Sequence, residues 1–139
     1  SFQSMARNLD RYVRRQGRRL EQVSPKLTAA GIARFIDEGR PIIWGLHSTE
    51  VFNALSDTNT EERRKADAVS SGKRSIPPAL LATIKPEART AHACLIIGYN
   101  RATDEIAFTD SWGPRFVERW VPAAVAQRIT LDEYWVLAW

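Results

Sequence analysis

Apolar side chains near the start of the chain recur at helical intervals. Phe2, Met5, Leu9, Tyr12, Val13 and Leu20 stand three, four and seven apart, which places them on one face of a helix. Ser1 or Ser4 would cap it, because a serine oxygen accepts one of the unpaired N–H groups of the first turn. A second helix is expected over residues 29–38, capped by Thr28, with Ile32, Phe35 and Ile36 inward. Gly39 suits its left-handed end and Pro41 cannot continue it. Ile42-Ile43-Trp44-Gly45-Leu46 is an unbroken apolar run of strand length, the pattern of a buried strand. Over residues 60–69 a threonine, then acids, then bases spell a third helix. Ser70-Ser71-Gly72 interrupts it, Pro77-Pro78 opens a short helix over 79–84, and Lys85-Pro86-Glu87 reads as loop. From His92 the period becomes that of a sheet. Strands are expected over 92–99, 105–109 and 116–121, the first two joined by the polar loop 100–104. A short helix over 122–128, opened by Pro122, and a closing strand over 134–138 complete the chain. The reading is α+β: N-terminal helices packed on an antiparallel sheet built mainly from the C-terminal half. Residues 1–139 read as one domain, with 48–91 an elaboration on it.

Composition narrows the possible functions. The chain has 139 residues, enough for a core that needs no staples. One cysteine forms no internal disulfide, and one Cys with two His falls short of the usual four-ligand zinc sets, so no metal and no cofactor is expected. With 44% hydrophobic and 26% charged residues the composition is that of an ordinary globular chain. No apolar run approaches the roughly 20 residues of a transmembrane helix, and no signal-peptide core is present. The first residue is Ser1 and not an initiator Met, which reads as a piece of a longer protein.

The formal charge of +4 is unevenly placed. Residues 1–26 carry Arg7, Arg11, Arg14, Arg15, Arg18, Arg19 and Lys26 against Asp10 and Glu21, which is +5 and leaves −1 for the rest. Arg7, Arg11, Arg14 and Arg18 form a stripe on the first helix. A nucleic-acid or anionic-surface role would call for interleaved aromatic or glycine-rich patterns, and none accompanies these arginines. A solvated helix face accounts for them.

Candidate chemistry converges on one of the two histidines. His47 ends a buried strand without a partner at a diagnostic spacing and reads as structural. His92 opens the strand 92–99, while Asp110 closes the next strand of the same hairpin. Opposed positions in a hairpin have a constant sum, about 202 to 204 for this loop. Position 92 then faces 110 or 112, and an even sum brings His92 and Asp110 onto one face, opposed or diagonal. A carboxylate there fixes the imidazole tautomer and favours its protonated form, as a base paired with a thiolate requires. A purely structural His–Asp hydrogen bond is the alternative.

The run His92-Ala-Cys-Leu-Ile-Ile-Gly-Tyr-Asn100, followed by Asp104-Glu-Ile-Ala-Phe-Thr-Asp-Ser-Trp-Gly113, resembles the second half of papain-like cysteine peptidases. Within them it is most similar to the branch that processes double-glycine bacteriocin leaders. Gly39-Arg40-Pro41-Ile42-Ile43-Trp44 is similar to the lead into that family's first core strand, and the resemblance covers about residues 32–139. It implies a papain-like fold and peptide-bond hydrolysis without a cofactor. His92 would be the base, Asp110 its orienting residue, and Trp112 an indole shielding their hydrogen bond. The family's nucleophile is a cysteine at the N-terminus of a helix upstream of the histidine, with an oxyanion glutamine before it. No cysteine precedes His92. Cys94 lies two residues after it and reads as a core or cleft-lining side chain, while Ser4 reads as a cap and not as a substitute nucleophile. Two expectations follow. This is the C-terminal portion of such a peptidase, acting on a peptide or protein substrate, with its Cys supplied by an N-terminal segment or chain of the same protein. Otherwise it is a catalytically dead papain-like module that binds a peptide or protein partner.

Overall fold

In a computed structural model, residues 2–65 and 76–138 are described, and they form an α+β fold. Helix α1 (Phe2–Arg14) ends at Gly17, whose φ of +74° lets the chain turn back. Arg18 N–H donates to the Val13 carbonyl and Gly17 N–H to that of Arg14, the paired bonds of a Schellman cap. Leu20, expected on the helix, is therefore on strand β1 (Arg19–Val23), where it is buried. Its N–H donates to Asp10 of α1 at 2.8 Å. Tyr12 is also corrected: it is exposed, and Ala6 is buried instead. The arginines at 7, 11, 14 and 18 are exposed, and Arg14 pairs with Asp10 at 2.6 Å.

Helix α2 (Ala29–Asp37) starts where expected, with Thr28 Oγ1 accepting from Gly31 N–H at 3.0 Å. It stops through the same Schellman pair at Gly39. Strand β2 (Ile42–His47) follows, burying Ile42, Trp44 and Leu46. Helix α3 (Glu50–Lys65) begins ten residues before the expected start at Thr60. Thr49 provides its cap, accepting from Phe52 N–H at 3.2 Å. Thr60 lies inside the helix and donates back to the Ser56 carbonyl. The expected helix end at 66–69 and the Ser70-Ser71-Gly72 break lie outside the described residues. A single turn, α4 (Pro78–Leu81), precedes the sheet-forming half.

Strand β3 (Ala91–Asn100) and strand β4 (Glu105–Thr109) form the expected hairpin. The expected third strand starts three residues late. Gly113 at φ +112° and Pro114 set a 3-10 turn over Pro114–Phe116, and β5 spans Arg119–Pro122. Helix α5 (Ala123–Ile129) and the long strand β6 (Thr130–Ala138) close the chain. The described strands form one six-stranded sheet in the order β1-β6-β2-β3-β4-β5, with every neighbouring pair antiparallel.

One face of the sheet carries the core. Ile42, Trp44, Ile96, Phe108, Val121 and Val136 are fully buried beneath Ile32 and Phe35 of α2, Phe52 of α3, and Val125 and Ile129 of α5. Trp44, Phe52 and Phe108 make an aromatic trio with centroids 5.7 to 6.3 Å apart. The opposite face meets α1. Between them a groove of about 440 Å3 is lined by Met5 and Leu9 of the helix, by Ile43, Ala93, Leu95 and Thr109 of the sheet, and by Asp110 and Ser111 at its end. Among the described residues no helix is long and apolar enough to cross a membrane.

Candidate active site

A bulge in the β3–β4 hairpin decides which side chains meet. On the loop side Gly98 opposes Ala107 and Asn100 opposes Glu105, whereas on the open side Leu95 opposes Thr109 and Ile96 opposes Phe108. The extra residue, Ile97, shifts the register by one. Had the loop-side register continued, Asp110 would lie across from Leu95 and project with it to the groove face. Because side-chain direction alternates with every residue, the shift turns Asp110 onto the face of His92 and Cys94.

The two side chains meet: His92 Nε2 lies 2.6 Å from Asp110 Oδ1. The carboxylate is almost wholly buried, with 2% of its side chain exposed, and the imidazole is 25% exposed. Asp110 is also fixed through its backbone, its N–H donating to the Phe116 carbonyl at 2.9 Å. A hydrogen bond to an ionised carboxylate calls for a donor, so Nε2 carries the proton and the lone pair of the neutral ring resides on Nδ1. Among the described residues Nδ1 has no hydrogen-bond partner. Trp112 stacks on the His92 ring with centroids 5.0 Å apart and planes 26° off parallel, and Phe116 meets the indole edge-on at 5.5 Å. The indole is still 45% exposed, so it forms part of the surface over the dyad.

Cys94 is brought to the same face but not into the site. It is buried in the core, where desolvation, and secondarily the negative charge of Asp110, push its thiol well above the usual range. A thiol so disposed stays protonated and shielded. His47 is held by Thr90, whose Oγ1 is 3.0 Å from its Nδ1, and does not reach the dyad. Among the described residues no three His, Cys, Asp or Glu side chains converge as metal ligands.

The site contains a residue that sequence reasoning missed. Arg119, on β5, is 1% exposed, and its NH1 donates to Asp110 Oδ2 at 2.8 Å. Its fork also takes Asn53 Oδ1 at 3.2 Å and Asp57 Oδ1 at 3.0 Å, both on α3. The guanidinium is surrounded by Phe108, Trp112 and Phe116, with ring centroids 5.0 to 5.6 Å away. An arginine where a sheet-facing apolar residue belongs, preceded by Trp112 and Phe116, was the available signal. What it could not reveal was a polar helix face opposite.

Compared with protein-family models, curated proteins and solved structures, the chain matches none. The functional reading therefore rests on the site itself.

Proposed function

We propose that His92 and Asp110 are the base and orienting residue of a papain-like cysteine peptidase that hydrolyses peptide bonds by acyl transfer to a thiolate. Under this reading the thiol comes from a segment or chain of the same protein outside these 139 residues. The observation that carries it is the 2.6 Å bond from His92 Nε2 to a buried Asp110, which leaves Nδ1, unpartnered among the described residues, as the basic atom under an aromatic cover. Cys94 does not serve, because its buried thiol resists ionisation.

The chemistry follows from that geometry. The incoming thiol gives its proton to Nδ1, and the thiolate attacks the substrate carbonyl carbon. The resulting imidazolium, held by Asp110, returns the proton to the departing amine as the C–N bond breaks. Water, deprotonated by Nδ1, then attacks the thioester carbonyl. The acid leaves, the sulfur recovers its proton from the imidazolium, and the base is regenerated. Oxyanion donors would come with the nucleophile segment.

The test joins the 139 residues to the coding sequence that precedes them in the natural reading frame. A thiol-directed peptidase probe should label a cysteine of that upstream segment, and His92→Ala should abolish both labelling and peptide hydrolysis. Labelling of Cys94, or labelling indifferent to His92, would overturn the proposal. A second reading, a peptide-binding module without activity, is favoured by the lack of any cysteine before His92 and by the exposed indole of Trp112. It predicts that the full-length protein carries no reactive thiol, while a bound peptide protects Trp112 from solvent quenching.

A further inference from the structure

The Asp110 carboxylate serves two partners, one oxygen to each. Oδ1 meets His92 at 2.6 Å and Oδ2 meets Arg119 at 2.8 Å. With two fixed donors in different directions, the carboxylate cannot rotate about its Cβ–Cγ bond without breaking one of them. Arg119 is itself held from the far side by Asn53 and Asp57, so the line of contacts runs from α3 through β5 to the dyad. Charge makes the arrangement more than a brace. A buried carboxylate needs a nearby positive charge, and Arg119 supplies a permanent one at 2.8 Å.

We propose that Arg119 is the positioning residue of the dyad: its guanidinium holds Asp110 Oδ2 and so keeps Oδ1 turned toward His92 Nε2, and Asn53 and Asp57 aim its fork. The proposal rests on the peptidase reading for its purpose, but its test needs neither thiol nor substrate. Among the described residues, the charged groups set against the dyad are Arg119 on β5, which meets Asp110, and Asp57 on α3 behind the guanidinium.

The chain has two histidines, so proton NMR resolves both rings, and His47, fixed by Thr90, is the internal reference. Removing the guanidinium in Arg119→Gln takes away the donor that holds Asp110 Oδ2, so the carboxylate can turn and the low-field proton signal of the His92–Asp110 bond should broaden or vanish. Arg119→Lys keeps a charged donor but not the fork and should restore part of that signal. His47 should stay put in both. A folded Arg119→Gln protein with an unaltered His92–Asp110 proton signal overturns the proposal. Should that variant not fold, Asp57→Asn decides, since Asp57 is half-exposed and tolerates the change. Freeing one side of the guanidinium should broaden the low-field proton signal of the His92–Asp110 bond, and an unaltered signal refutes the relay. If the proton signal responds as stated while the full-length protein shows no thiol reactivity, the positioning role stands and the peptidase reading falls.

Discussion

Phe52 is the side chain on which the placement of α3, and through it of Arg119, depends. Fully buried, it is packed edge-on to Trp44 at 6.3 Å and tilted against Phe108 at 5.7 Å. Truncating a buried phenylalanine to alanine costs about 3–5 kcal/mol through lost transfer energy and the cavity left behind. Two aromatic contacts of this geometry put Phe52→Ala toward the upper end of that range. With a urea slope of about 1–3 kcal/mol per molar, a loss of about 4 kcal/mol lowers the midpoint by roughly 2 M. Phe52→Leu keeps most of the volume and should lose no more than about half as much. The damage should also be local. The residues next along α3, Asn53, Ser56 and Asp57, hold Arg119 or the helix's own turns, so amide exchange in α3 should accelerate before that of the β1–β6 pair at the other edge of the sheet. A midpoint change below about 0.5 M in Phe52→Ala, or exchange that rises uniformly, would refute this account of how the helix is anchored.

Three further outcomes are expected. In Gly31→Ala the new methyl would overlap the backbone carbonyl oxygen of Lys26, so denaturant melts should show a loss of about 1–3 kcal/mol where an unobstructed helical glycine would gain up to about 1 kcal/mol. Asp10 is held below the ordinary carboxylate range, first by its hydrogen bond from Arg14 and then by that from the Leu20 N–H. Its stabilisation of the α1–β1 turn is therefore present above that ordinary range and lost as pH falls through the lowered value; the Leu20 amide resonance should titrate in acid, and not in Asp10→Asn. Tyr134 is pushed up to about 12, chiefly by burial. Its phenol is thus neutral in the folded chain where the unfolded chain already ionises, so urea midpoints should decline from pH 10 towards about 12, and Tyr134→Phe should flatten that decline.

The parts of the fold legible in the sequence are those whose signals are local. Thr28 and Gly39 bracket α2 as expected because capping chemistry is written in adjacent residues. Strand β4 and the β3–β4 loop were visible through alternation and a polar turn. Two failures have the same physical origin, a long-range contact overriding a local pattern. Leu20 fits the helical spacing of α1, yet Gly17 ends that helix and β1 pairs with β6 at the far end of the chain. The start of α3 was invisible because the buried side of that helix is largely polar. Ser56, Asn59 and Thr60 are buried: Asn59 donates to Glu105 of β4 at 2.7 Å, and Thr60 accepts the Trp120 N–H of β5. A periodicity of apolar residues cannot find a helix whose inward face is built to meet buried charge.

The same limit separates the half of the site that was legible from the half that was not. His92 and Asp110 could be paired from hairpin arithmetic, but only up to a parity, and parity is where a single bulged residue acts. Ile97 is an unremarkable member of an apolar strand, and nothing in its neighbours announces a bulge. It nonetheless decides that the Asp110 carboxylate meets the imidazole and Arg119. Once Asp110 is turned that way it is buried, and a buried carboxylate requires countercharge; the Arg119 cluster follows from the bulge as an electrostatic necessity. Arg119 in turn, buried with one charge against Asp110 and Asp57, requires the polar face of α3. The bulge, the buried arginine and the polar helix are three parts of one solution. Each looks anomalous when read alone, which is why reading residue by residue reaches the dyad and stops there.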